Sequence, residues 1–172
     1  MIMKTTLKPL IACVLLVGIG SLQAEEAKKA PDMLDVKQIG MELALDIARE
    51  AVLDCRAKGY NVAAVVVDRS ASVQAVLRDT LTARFTLQIA EEKANAVIMS
   101  GVSSGEFRSS RADIKDEMNE VDGITMLEGG LKIESGGALL GAVGVSGAPG
   151  GDKDAGCAQA ALDKLAERLE MM

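Results

Sequence analysis

EGGLKIESGGALLGAVGVSGAPGGDKD, residues 128–154, holds nine of the chain's seventeen glycines within twenty-seven residues. Gly129-Gly130 and Gly136-Gly137 each separate short apolar runs, the spacing of tight hairpins whose turn positions need positive φ. The pattern predicts an antiparallel meander over residues 124–146. In its last strand Leu139, Val143 and Val145 share one side of the pleat, and Ala142, Gly144 and Ser146 share the other. One side is bulky and the other nearly bare. A bare side on a buried strand means that a packed helix or a bound ligand comes close to the backbone. Gly147-Ala-Pro-Gly-Gly151 ends the strand, and Asp152 or Asp154 is placed to cap the following helix. No Gly-Lys-Ser/Thr follows the glycines, and two aspartates at a helix start repel phosphate, which argues against a nucleotide loop.

Upstream, Asp35 with Gln38 reads as a helix start. Ile39, Leu43, Ala44, Ile47, Ala48, Ala51, Val52 and Cys55 then recur at helical spacing, and Gly59 closes the segment. Val62 to Val67 is an apolar run ending at Asp68, and Val73 to Leu77 follows a short polar loop, the pattern of a hairpin. Thr82 opens a second helix with Phe85, Ile89, Lys93 and Ala96 along one inward side. Residues 100–105 read as a polar loop, and 111–120 as a short charged helix with Ile114 and Met118 inward. A final helix carries Ala155, Ala158, Ala161, Leu162, Leu165 and Leu169. Helix, hairpin, helices, meander, helix is an α+β order: a five-stranded antiparallel sheet flanked by helices.

The N-terminus has Lys4 and Lys8, an apolar run from Leu10 to Ile19, and Leu22-Gln-Ala24 before two glutamates, the order of a secretory signal peptide over residues 1–24. Residues 25–33 read as a charged flexible leader, and residues 34–172 as a single domain. The expected location is periplasmic or secreted, with no membrane span after processing. Loss of Lys4 and Lys8 leaves 17 basic against 25 acidic residues, a net charge of −8. That charge, with one Tyr, two Phe and no Trp, argues against a nucleic-acid partner. Export permits disulfides. Cys55 and Cys157 would meet if the first and last helices pack antiparallel, but spacing alone favours two separately buried thiols.

Val65-Val-Val-Asp68, Leu77-Arg78-Asp79, Ile89-Ala90-x-x-Lys93-Ala94, Gly136-Gly137, Gly141-Ala-Val-Gly144-Val-Ser-Gly147 and Asp152-x-Asp154 together resemble the GlcG/HbpS haem-binding (haem-degrading) domain family over about residues 34–169. The resemblance implies the five-stranded sheet, a homo-oligomer, and binding of haem or a related tetrapyrrole. Two local departures stand out: Asp68 is followed by Arg69-Ser70-Ala71 where the family turn has Asp-x-x-Gly, and Thr80-Leu-Thr-Ala83 replaces a small Gly-Ala pair. The chain also has no histidine, which excludes imidazole as an axial ligand. The remaining candidates for iron are Tyr60, the two cysteines of the processed chain, several methionines, or oxygens of Thr80, Thr82 or Ser103. The metal-binding residues stay unassigned.

The candidate ligand-binding residues are Asp68, Arg78, Asp79, Lys93, Gly144, Ser146 and Asp152. Asp68 belongs near the hairpin turn and Arg78 at the far end of the second strand, so they are not partners. Lys93 interrupts an apolar helix side, and so either snorkels out or meets a buried acid such as Asp79. With Arg78 it could instead hold a ligand carboxylate. No Ser/His/Asp set, Cys/His pair or metal-ligand spacing is present, so no catalytic residue is assigned. Three functions remain: a small-ligand-binding protein with haem as the family ligand, an accessory protein of a periplasmic oxidation pathway, and an enzyme acting on a small acid.

Overall fold

The apolar periodicity after residue 40 becomes helix α1 (Met41–Ala57), and the two β-branched runs become strands β1 (Ala63–Asp68) and β2 (Val73–Arg78). Helix α2 (Phe85–Ser100) follows, then α3 (Ser104–Ser110), a 3-10 turn (Ala112–Ile114) and the single-turn α4 (Lys115–Met118). Strands β3 (Gly130–Ser135) and β4 (Ala138–Ser146) form the second hairpin, and α5 (Gly151–Lys164) with α6 (Ala166–Glu170) closes the chain. This computed structural model describes residues 30–171; the expected signal segment and most of the leader lie outside the described residues. The described residues from Asp35 onward form one compact unit.

The sheet is antiparallel with strand order β2-β1-β4-β3. Among the described residues it has four strands rather than the expected five. Met126, instead of entering a ladder, gives its backbone N–H to Asn119 Oδ1 and is fully buried with Ala96 and Phe107. Gly129 is accordingly not a hairpin turn. Its φ of +130° brings the chain directly into β3. The Gly136-Gly137 turn is as expected, with φ of 56° and 78°, the two-residue hairpin that only residues tolerant of positive φ enter freely.

Helix α1 and helix α5 cover one face of the sheet through Ile47, Val52, Val62, Val66, Val143 and Val145, and α2 covers the other through Ala90, Ala94 and Val97 on Val65, Val67 and Ala142. The bare side of β4 is therefore filled by a helix of the same chain: a Cβ on Gly144 would collide with the Ala90 carbonyl oxygen. Val143 and Val145 share the bulky side as expected, but Leu139 does not join them. A register shift between Ile133 and Glu134 places Leu140 opposite no residue, so Leu140 rather than Leu139 joins Val143 in the core.

Other local expectations also shift. Helix α1 begins after Gly40, not at Asp35, because Ile39 N–H bonds the Leu140 carbonyl and Gln38 Nε2 bonds Asp68 Oδ2; the segment is drawn out along the sheet end. At its C-terminus Gly59 N–H meets the Arg56 carbonyl and Tyr60 N–H the Cys55 carbonyl, the paired bonds of a glycine-terminated helix. Phe85, expected inward, is 62% exposed. The expected polar loop contains the start of α3, capped by Ser103 Oγ accepting from Glu106 N–H. Asp152 and Asp154 do not cap α5, whose cap position is Gly150.

Cys55 and Cys157 form a disulfide between α1 and α5, with Cα atoms 5.4 Å apart. This overturns the reading as separate thiols. The two helices pack side by side, and both cysteines are fully buried at their contact.

Candidate functional site

The strand register sorts the sequence-named residues into two ends of the sheet. Asp68 pairs across from Gly141, and Ala63 lies between Arg78 and Ser146. Five residue steps along β1 separate these rows, about 16 Å. Asp68 is a turn residue: Oδ1 accepts from the N–H groups of Ser70 and Ser72, and Oδ2 from the side chains of Gln38 and Gln74. Its bonds brace a turn in which Ala71 takes φ of +62°, where the family pattern has glycine, at a cost of about 1 kcal/mol.

Arg78, Asp79, Ser146 and Lys93 belong to the other end. There Asp79, 7% exposed, accepts from Arg56 Nε at 2.8 Å and from Thr80 N–H. The Arg56 bond holds its carboxyl below the ordinary carboxylate value. The Arg78 guanidinium is bonded to the Thr82 carbonyl, and Thr82 Oγ1 is buried with no hydrogen-bond partner among the described residues. Asp152 is exposed beside Lys153 at the start of α5. The four residues considered for acid chemistry, Asp68, Arg78, Asp79 and Lys93, are thus not brought to one place.

Lys93 enters the interior, as its place in an apolar helix side required, but its acid is Asp154 and not Asp79. Its Nζ lies 2.8 Å from Asp154 Oδ2 and 2.9 Å from the Val145 carbonyl oxygen. Asp154 Oδ1 accepts from Ala148 N–H. Asp79 is unavailable because it points across the sheet end to α1. Burial pushes the Asp154 carboxyl above its ordinary value, and the Lys93 bond and charge pull it back only in part. Gly129 makes room for the pair: a Cβ there would lie 2.8 Å from Lys93 Nζ and 2.9 Å from Asp154 Cβ.

Beside this pair lies a hollow of about 360 Å³. Its walls are Ile89 and Lys93 from α2, Arg108 from α3, Leu127 and Glu128, the end of β4 at Ser146, the loop 147–150, and Gly151 with Asp154 from α5. Phe85 stands one helical turn before Ile89, on the same side of α2. Sequence reasoning found Lys93 and Ser146, and missed Arg108, Glu128, Ile89, Leu127 and Asp154. Asp154 was visible in the Asp-x-Asp pair. Arg108 and Glu128 carried no signal, being single charges in polar surroundings.

No His, Cys, Met or Tyr side chain lines this hollow or the two others described, on the α1–α5 surface and beside β3. Cys55 and Cys157 are committed to the disulfide, and no cluster of metal-ligating residues occurs among the described residues. Likewise, no helix among them is long and apolar enough to cross a membrane.

The HbpS-like family of haem degrading proteins matches residues 39–163. The crystal structure of HbpS is 27% identical with a TM-score of 0.70, covering 81% of this chain and 98% of that one. A Streptomyces reticuli HbpS double mutant is 26% identical with a TM-score of 0.71, covering 91% and 99%. PduOC, solved as a heme complex, shares the fold at 19% identity and a TM-score of 0.65, covering 73% and 94%. No curated protein matches the chain.

Proposed function

We propose, from the premise that the chain belongs to the HbpS-like haem-degrading family, that it is an exported protein binding haem, a related tetrapyrrole or a small acid as a homo-oligomer. The observation that carries the reading is the surface at one sheet end, where an apolar stripe of Phe85 and Ile89 runs into a hollow bordered by the cations Lys93 and Arg108. A tetrapyrrole needs apolar contact for its faces and cations for its propionates. Leu81 and Phe85 are 82% and 62% exposed, Arg84 lies over the Phe85 ring, and Arg108 has no ion-pair partner among the described residues.

The fit is partial. These residues suit the faces and acid groups of a tetrapyrrole, and none of them offers iron an imidazole, thiolate, thioether or phenolate within one subunit. A bound haem would bring redox chemistry at its iron; the chain's own share at this site is to orient and to shield. The buried disulfide supports export, since such bonds persist in oxidising compartments. A homo-oligomer is supported by β2, an edge strand whose Val73 and Val76 are exposed, and by the exposed Leu81 and Phe85 that follow it, apolar surface that a second copy would cover.

Titrating the processed protein with hemin tests this reading. The expected result is a saturable, shifted Soret band that weakens in Arg108→Ala, from a species larger than a monomer by light scattering. A folded protein showing no saturable band would favour the second reading, an accessory protein of a periplasmic oxidation pathway, which the missing iron ligand supports.

A further inference from the structure

The inner wall of the hollow holds two donors with capacity left over. A lysine ammonium has three N–H bonds, and Lys93 uses two, on Asp154 and the Val145 carbonyl. Ser146 is 5% exposed, lines the hollow, and its hydroxyl enters no hydrogen bond among the described residues. The first turn of α5 opens here too. Its Lys153 and Asp154 N–H groups are bonded to the Gly150 carbonyl, and those of Gly151 and Asp152 remain without intrahelical partners.

The outer wall holds an acceptor of the same kind. Glu128 is half-buried and its carboxylate has no partner among the described residues. Its stem is gripped by glycines on two helices: a Cβ on Gly105 would come within 3.0 Å of Glu128 Cγ, and one on Gly151 within 2.8 Å of Glu128 Cβ. Arg108 faces the same hollow without forming an ion pair to it. Charge then decides the ligand class. Lys93 with Asp154, and Arg108 with Glu128, leave the lining without net charge, so a small molecule seated wholly inside it gains most by carrying both charges, with a partner at each end.

The geometry points to a binding site for a dipolar small acid, an α-amino acid with an aliphatic side chain. Its carboxylate meets Lys93 and Ser146, its ammonium meets Glu128, and its side chain lies against Ile89 and Leu127. The volume falls within the usual range for small-molecule pockets, roughly 300–1,000 Å³. The proposal rests on reading this sheet end as the ligand surface, and does not depend on haem.

The test is calorimetry and proton–nitrogen correlation spectra of the processed protein with L-leucine, its deaminated analogue isocaproate and its decarboxylated analogue isoamylamine. Saturable leucine binding with shifts at the Gly147, Gly150 and Gly151 amides is expected. Glu128→Gln and Ser146→Ala should each weaken it about tenfold or more, the size of a lost hydrogen bond to a charged group. Both analogues should bind at least tenfold more weakly. The dipolar assignment is overturned if isocaproate binds as well as leucine and Glu128→Gln is silent. The site itself is overturned if no probe moves those amides, and a hemin Soret band measured separately shows whether the family reading stands without it.

Discussion

Lys93 and Asp154, 61 residues apart in sequence, meet at 2.8 Å with side chains 3% and 5% exposed. They tie α2 to α5 across the end of β4. Two charges taken from water are stable here only because each is also bonded elsewhere, Lys93 to the Val145 carbonyl and Asp154 to the Ala148 amide.

Removing one partner strands the other. Lys93→Met or Asp154→Leu alone should cost about 3–5 kcal/mol of unfolding free energy, read from urea midpoints. The double variant should recover most of that loss, because no isolated charge remains. A double variant as unstable as the sum of the singles would show that the carbonyl and amide bonds, not the charges, dominate.

Gly144→Ala adds one methyl where α2 rests its Ala90 carbonyl on β4. Helix and strand are both backbone at that point, so neither yields by rotating a side chain. The expected loss is about 3 kcal/mol, the upper range for overpacking. Gly156→Ala, on an open helix surface with nothing within 4 Å, is the control and should be neutral or slightly stabilising.

The Cys55–Cys157 bond spans 102 residues. Closing a loop of that length restrains the unfolded chain by about 4–5 kcal/mol in the chain-entropy account. Thermal melts with and without reductant, and of Cys55→Ala with Cys157→Ala, should show a drop in Tm of ten degrees or more, about what such a loss implies at this size. An unchanged Tm would mean that the α1–α5 apolar contact suffices alone.

Acid should expose two carboxylates acting in opposite directions. Asp79 has a depressed folded-state value, set first by its Arg56 bond. Its contribution is present above the ordinary carboxylate value, about 4, and is lost as pH falls through the depressed one. Asp154 has a raised value, set first by burial. Its titration favours the folded state most below about pH 4, and that benefit fades as pH rises through the raised value. Asp79→Asn should therefore flatten the fall in Tm as pH drops below about 4, measured against the parent in the same buffers. An identical slope would remove Asp79 from the acid transition.

Much of the fold was legible because it is encoded locally. The helical repeat after residue 40, the β-branched runs at 62–67 and 73–77, and the paired glycines at 136–137 each specify an element from neighbours a few residues away. Alternation along β4 likewise marked the Gly144 side as a place of close approach. Lys93 drew notice because a charge inside an apolar stripe must find a partner, and Ser146 because it ends that strand. What covers the bare side, which acid receives Lys93, and whether Cys55 and Cys157 meet depended on partners 54, 61 and 102 residues away. The Leu140 bulge, the loss of the fifth strand and the hollow lined by Arg108 and Glu128 have the same origin. Local pattern determined which elements form and which faces are apolar. Only the packed structure decided their partners, because register and helix placement are set by the summed burial of the whole core, which no short window of sequence contains.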